Sequence, residues 1–569
     1  MSRVGFIAAF MALVPLGTAR SAEPLDYIPD SVQIVATIDN PRKLLEAFTT
    51  LDAAREAKQL APVKALFDST SARRFFQMLG HVERELGAPW PELLDQLGGR
   101  GIAVAGHFGD GKPAILVFQG TDEKQTARAF DRFLAIVGDE LQRQGLPLRP
   151  KSQTKNGTEF VAVGDFHAAR TGSTIVASNK ADFLDQALRV AAARMPGSIR
   201  TKKSFVDASK LLPRNPLVKL WIDFASVKKE QSTKDFFAAT RKDFLQTLVV
   251  GGTIDCLRRS DFVVAGLFQE KDGLRFAVRL PAGRGEFPPE FALHVPEPGK
   301  PGSLPLLEPP GVVASQSIYL DLGYYWKHRD KLIADEMRKQ LEMGEQQVNK
   351  ILPGNVKLGE LLEMWGPYHR GVVLNHDKLP YATVPTVRFP AFGYVATMRD
   401  PKFGSSMDTL LRQTGLFLSL VYGLKQSELT HDGVKIVAYR FSETKVVEAD
   451  PEGIRFNFEP CYAAMDDQFV AATTVEACKK LIAEVRRTAK HPPSPAVWRG
   501  KAFAAGGERL LYDIPDPFVT DAILTGGLSL DDARKQVDAI AAWLKKRGTV
   551  RIEIDEAKTT YKFDVVWTK

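Results

Sequence analysis

The sequence predicts an α+β protein of two tandem, related domains, each a mainly antiparallel sheet with helices packed on one face. Three observations predict it. Alternating apolar runs come mostly as hairpins, amphipathic helical stripes separate only some of them, and one series of elements occurs twice around a proline-rich segment. With 44% hydrophobic and 25% charged residues in a chain of 569, large cores are available and disorder as the dominant state is excluded.

Residues 1–22 read as a secretory signal peptide. Arg3 is the positive end, Val4 to Leu16 is almost wholly apolar, and Ala19, Ser21 and Ala22 are small. Cleavage fits after Ala19 or after Ser21. The apolar stretch is shorter than the roughly 20 residues a membrane-crossing helix needs, and Pro15 interrupts it. The expected destination is periplasmic or secreted, with no transmembrane segment in the mature chain. Three cysteines, Cys256, Cys461 and Cys478, do not amount to a disulfide framework. The spacing of Cys461 and Cys478 allows a bridge or two buried thiols.

The first domain, 23–280, opens on Val32, Ile34, Ala36 and Ile38 in alternation, then Asp39-Asn40-Pro41, a cap followed by proline in the first helical turn. Helical residues lead to a hairpin, 101–105 and 114–118, turned by Gly109-Asp110-Gly111-Lys112. Asp122 caps a helix whose stripe is Ala127, Phe130, Phe133, Leu134, Val137 and Leu141. Strands at 158–163, 166–170 and 174–177 precede a helix at 182–194. A strand at 218–224, a helix and the hairpin 262–268 with 274–280 close the domain.

Residues 281–310 hold nine prolines and four glycines and are expected as a linker. The second domain, 311–569, repeats the order. A strand at 317–321 enters a helix carrying Trp326, Leu332 and Ile333. Strands at 371–374 and 392–396, a helix started by Asp400-Pro401, and strands at 434–441, 461–465 and 469–472 follow. Next come a helix at 475–487, a strand at 509–514, a long helix, and a hairpin of 549–554 with 560–567.

The sequence supports no catalytic, cofactor-binding or metal-binding assignment. Neither H-E-x-x-H, G-x-S-x-G, a P-loop nor G-x-G-x-x-G occurs. His369, His376 and Asp377 flank a predicted strand and are the nearest approach to a metal or His/Asp site. The pairs Asp466-Asp467, Asp531-Asp532 and Asp513 with Asp516 read as turn and helix-start residues. Gly98-Gly99-Arg100-Gly101 and Gly251-Gly252 read as turns into the sheet rather than anion-binding loops. The net charge of +8 is scattered in pairs such as Lys202-Lys203, Arg258-Arg259 and Lys545-Lys546. This argues against nucleic acid and allows a weak attraction to anionic envelope surfaces.

Tyr27-Ile28-Pro29-Asp30-Ser31-Val32 running into Ile38-Asp39-Asn40-Pro41, the strand entry Leu97-Gly98-Gly99-Arg100-Gly101-Ile102-Ala103-Val104, and the twofold arrangement resemble a group of uncharacterised exported bacterial proteins of unknown function. The resemblance implies export and a paired α+β repeat and brings no catalytic residues. The expectation is therefore a non-enzymatic envelope protein with a binding or scaffolding role and an unknown partner. The alternatives are a periplasmic hydrolase using carboxylates or the His369 to Asp377 region, and a structural surface component.

Overall fold

A computed structural model describes residues 22–143, 145, 150–193, 196–238, 244–283, 289–352, 356–556 and 559–569. The expected signal segment, save Ala22, lies outside them. The first half supplies β1 (Ile34–Ile38), β2 (Gly101–Gly106), β3 (Ala114–Gln119), β4 (Lys151–Lys155) and β5 (Thr158–Val163). It continues with β6 (Phe166–Thr171), β7 (Thr174–Ser178), β8 (Val218–Asp223), β9 (Phe262–Glu270) and β10 (Gly273–Leu280). The second half supplies β11 (Val312–Tyr319), β12 (Trp365–Leu374), β13 (Ala391–Met398), β14 (Lys425–His431) and β15 (Val434–Arg440). After these come β16 (Cys461–Met465), β17 (Gln468–Ala472), β18 (Trp498–Phe503), β19 (Thr549–Glu556) and β20 (Tyr561–Thr568).

All twenty strands belong to one sheet, and every pairing is antiparallel. Followed from edge to edge, the first half reads β4-β5-β6-β7-β3-β2-β1-β8-β9-β10. The second continues β20-β19-β18-β11-β12-β13-β17-β16-β15-β14. Each strand of one half thus has a counterpart ten numbers later, placed as its mirror about the β10–β20 seam. Local detail repeats as well: the amide of Ala114 donates to Asn179 Oδ1 at 2.8 Å, and that of Phe392 to Thr473 Oγ1 at 2.8 Å.

The seam is built for close approach. Eight residue pairs join β10 to β20, from Gly273 opposite Thr568 to Leu280 opposite Tyr561. A Cβ on Gly273 would lie 1.8 Å from the Trp567 carbonyl oxygen, so only glycine fits there. Gly273→Ala is expected to force the seam apart locally and cost about 1–3 kcal/mol in chemical denaturation. An unchanged midpoint would show that the strands do not meet there. Across the seam Asp564 accepts two hydrogen bonds from the buried Arg279 guanidinium, at 2.9 and 3.0 Å, and one from Arg275 at 3.0 Å.

Helices lie on both faces of the sheet. On one, Phe183, Leu184 and Ala187 of helix Ala181–Ala192 and Phe205 of helix Lys203–Leu211 pack with Val117, Val176 and Trp221. Helix Val475–Thr488 covers the corresponding strands of the second half through Cys478, Leu481 and Ile482. On the other face lie Glu123–Arg143 in the first half and Lys402–Tyr422 in the second. Strands apolar on both sides, such as Phe262–Glu270, need cover twice, so a second helical layer joins the one-faced packing that the hairpin pattern suggests.

Capping follows the sequence closely. Asn40 accepts from the Lys43 amide at 2.9 Å and Asp122 from the Gln125 amide at 2.9 Å, while Ser529 accepts from the Asp532 amide at 3.2 Å. Three readings change. Residues 509–513 belong to helix Ala504–Asp513, with Ile514 just past its end, and the strand of this region is β18. A short apolar run such as Leu510-Leu511-Tyr512 suits helix or strand equally, whereas Trp498, Gly500 and Ala502 alternate with Arg499 and Lys501. Gly251-Gly252 sit inside helix Phe244–Arg259, not in a turn. The outermost strands β4 and β14 are additional; β4 is polar on both faces and β14 carries a single apolar residue, Leu429, a polarity common in edge strands.

Candidate functional site

The first half encloses a cavity of about 800 Å³ between the sheet and three helices. Its floor is Ile102 of β2, Leu116 and Phe118 of β3, Phe166 and Ala168 of β6, and Ile175 and Ala177 of β7. Successive contributors from one strand are two residues apart, because alternate side chains share a face. One wall is helix Trp90–Gly98 with Leu93, Leu94 and Leu97. The other is helix Glu123–Arg143 with Phe130, Phe133 and Ile136. The sequence-predicted stripe of that helix divides: Phe130 and Phe133 reach the cavity, and Leu134, Val137 and Leu141 pack on Val161 and Val163.

Helix Thr70–Leu86 forms the roof. Ser69 starts it by accepting from the Ala72 amide at 3.2 Å, and Gly87, at φ +73°, ends it in the left-handed conformation that glycine adopts without steric cost. Phe75, Phe76, Leu79, Val82 and Leu86 line the cavity at helical spacing. Phe75 and Phe76 are nonetheless 53% and 46% exposed, so the roof opens to solvent. Glu85 and Arg132 are the charged residues of the lining, and they pair with each other at 3.1 Å. A space of this size with such a lining suits an apolar ligand.

The corresponding volume of the second half is packed. Register places Ala177 between Leu116 and Ala168 in the first half, and Ala471 between Tyr394 and Tyr462 in the second. Leu116 thus corresponds to Tyr394, Ala168 to Tyr462 and Ile175 to Phe469. The larger rings stack: Tyr462 on Phe469 at 6.0 Å, and Phe403 edge-on to Phe469 at 5.6 Å, between centroids. The Tyr462 hydroxyl donates to Asp408 at 2.8 Å. Burial pushes the phenols of Tyr394 and Tyr462 well above their ordinary range, so both stay neutral.

A shallower groove of about 420 Å³ crosses β11, β12, β13, β18 and β19, with Gly371 and Gly500 beside Phe392 and Trp498. A continuous apolar row on one face leads toward it from the cavity. Leu116, Val104, Ala36, Leu220, Ala265, Val278, Phe563, Ile554 and Trp498 stand opposite one another on nine successive strands. The neighbouring row on the other face includes Lys219, Asp564, Glu553 and Arg499.

The titratable residues singled out from sequence are held separately. His369 is buried, its Nε2 donating to the Leu320 carbonyl at 2.8 Å and its Nδ1 accepting from the Tyr394 hydroxyl. His376 Nε2 donates to the Phe389 carbonyl at 2.9 Å, and Asp377 accepts from Lys480 at 2.5 Å. Among the described residues no three His, Cys, Asp or Glu side chains gather as a metal site. Asp466, at φ +49°, forms a hairpin turn, Asp531 and Asp532 occupy a first helical turn, and Asp513 lies 3.7 Å from Arg509. Cys461 and Cys478 are buried free thiols in contact, and that contact, with burial, raises the Cys461 thiol.

Burial lowers the His369 and His376 imidazoles below their ordinary value of 6.5, which keeps both neutral. A depressed histidine stabilises the fold above the unfolded value, and that stability is lost as pH falls through the folded one. The share of unfolding free energy that these two histidines contribute should therefore be flat above pH 7 and fall below pH 6.5, by at most about 1.4 kcal/mol per pH unit for each. His369→Asn should flatten part of that slope, and an unchanged slope in urea titrations would refute the assignment.

No protein-family model matches the chain, and no curated protein does. Solved structures of TP0453 in crystal forms I, III and IV are similar at 10%, 11% and 10% identity, with TM-scores of 0.24, 0.25 and 0.26. They cover 47% of this chain and 82% of theirs in form I, and 48% and 85% in form IV.

Proposed function

We propose that this is an exported, non-catalytic envelope protein that binds an apolar, chain-like ligand in the first-half cavity. The observation that carries the reading is the difference between the halves: one position in the strand order is an apolar space in the first and a stacked aromatic core in the second. A duplicated scaffold with one copy opened for a ligand accounts for that difference. Export rests on the N-terminal charge and apolar pattern, and duplication on the mirrored order of the strands. The hydrolase alternative gains nothing from His369, His376 and Asp377, each of which is held by a structural partner of its own.

Titration of the purified protein with N-phenyl-1-naphthylamine, which brightens in apolar surroundings, tests the reading. Saturable brightening, reversed by a long-chain fatty acid, is expected. A linear, non-saturating signal would overturn it.

A further inference from the structure

The roof of the cavity carries more exposed apolar surface than the cavity needs. Leu66 and Phe67, from helix Ala61–Asp68, and Met78, from the roof helix, do not line the cavity, yet they are 68%, 41% and 52% exposed. Phe67 stacks on Phe76 at 5.9 Å, and Phe76 meets Phe75 edge-on at 5.6 Å, so exposed and cavity-lining rings form one cluster. Lys64, Arg73 and Arg74 stand on the same two helices with Asp68, which lies 3.3 Å from Arg73, while the acids at the far end of the roof helix are engaged, Glu83 by the Trp90 amide at 2.7 Å and Glu85 by Arg132 at 3.1 Å. Neighbouring exposed aromatic and cationic side chains on short amphipathic helices are the composition of a segment that lies in a bilayer interface. Solvated helices of a soluble domain rarely keep so many large apolar groups together.

We infer that helices Ala61–Asp68 and Thr70–Leu86 dock on an anionic lipid surface, with Leu66, Phe67 and Met78 entering the headgroup region and Lys64 and Arg74 meeting lipid phosphates. The inference rests on the cavity reading for its purpose. Phe75 and Phe76 belong both to the exposed cluster and to the lining, so docking would bring the cavity's open roof against the hydrocarbon boundary. An apolar ligand would then pass between membrane and protein without crossing water. The charge pattern favours a bilayer over a second copy of this chain, since two such faces would oppose cation to cation.

The test is flotation of the purified protein with vesicles of phosphatidylglycerol and phosphatidylethanolamine, against vesicles of phosphatidylcholine. Flotation with the anionic vesicles, weakened by high salt, is expected. The variant L66S/F67S/M78S should lose about tenfold or more in vesicle partition, and Lys64→Gln with Arg74→Gln should lose most of the preference for anionic lipid. Binding of N-phenyl-1-naphthylamine in solution should stay unchanged in both variants, which also reports that they are folded. Absence of flotation, or equal flotation of L66S/F67S/M78S, would overturn the inference while leaving the cavity reading intact. So would a dimer in light scattering that the same variant abolishes, because a second copy would then cover the patch. Loss of solution probe binding in the unaltered protein would instead sink the cavity reading.

Discussion

Placing phenylalanine at positions 168 and 175 will close the cavity and abolish binding of N-phenyl-1-naphthylamine, a loss of about a hundredfold or more in affinity, or roughly 3 kcal/mol. The substitutions copy the second half, where Tyr462 and Phe469 occupy the corresponding register positions. Phenylalanine serves better than tyrosine at 168 because the Tyr462 hydroxyl is satisfied by Asp408, and the first-half cavity is apolar around Ala168. Overpacking usually costs stability, but here the new rings enter space that is already empty. The melting temperature should hold or rise. Retained probe binding in a folded A168F/I175F protein would show that ligands bind elsewhere and would remove the central reading. Collapse of the fold would be distinguished by the melting transition, and Ile175→Phe alone should then show the same direction with a smaller effect.

The second large effect is expected at the seam. Asp564→Ala should destabilise the protein by about 3–5 kcal/mol, the usual cost of leaving a buried charge without its partner. Arg279 has a side chain 4% exposed and gives Asp564 two hydrogen bonds, and removing the carboxylate leaves the Val278 and Phe563 carbonyls as its remaining acceptors. Asp564→Asn should cost less, since an amide oxygen can still accept. Chemical denaturation measures both, and a cost under about 1 kcal/mol for the alanine variant would show that Arg279 reaches water or another acceptor. Because Asp564 lies on β20 and Arg279 on β10, the destabilised transition should include both halves. An unfolding curve split into two transitions in the variant, but single in the parent, would locate the coupling at this edge.

Much of the secondary structure was legible in the sequence because it depends on short-range rules. Asn40 before Pro41, Asp122 and Ser529 announce helix starts because a side-chain oxygen can accept from an amide only three residues on. The hairpin of Phe262–Glu270 and Gly273–Leu280 is legible from its aspartate-glycine turn and its alternation. Where signals were ambiguous the reading failed for identifiable reasons. The edge strands β4 and β14 hold one apolar residue between them, Leu429, too little to show alternation, and Leu510-Leu511-Tyr512 is too short to show a period. Of the candidate site, the Phe130 and Phe133 stripe was visible, and Phe75-Phe76 with Leu79, Val82 and Leu86 was an available signal of the roof.

By itself, then, the amino-acid order determined an α+β chain whose two halves run through the same series of elements, since alternation, capping and turn chemistry act over a few residues. Tertiary structure decided that the halves share one sheet through β10 and β20, and that one of them is hollow. Both outcomes depend on residues far apart in the chain, Gly273 against Trp567 and Ala168 against Phe130. Whether such side chains fill the space between them is a matter of volume in three dimensions, which no local pattern encodes.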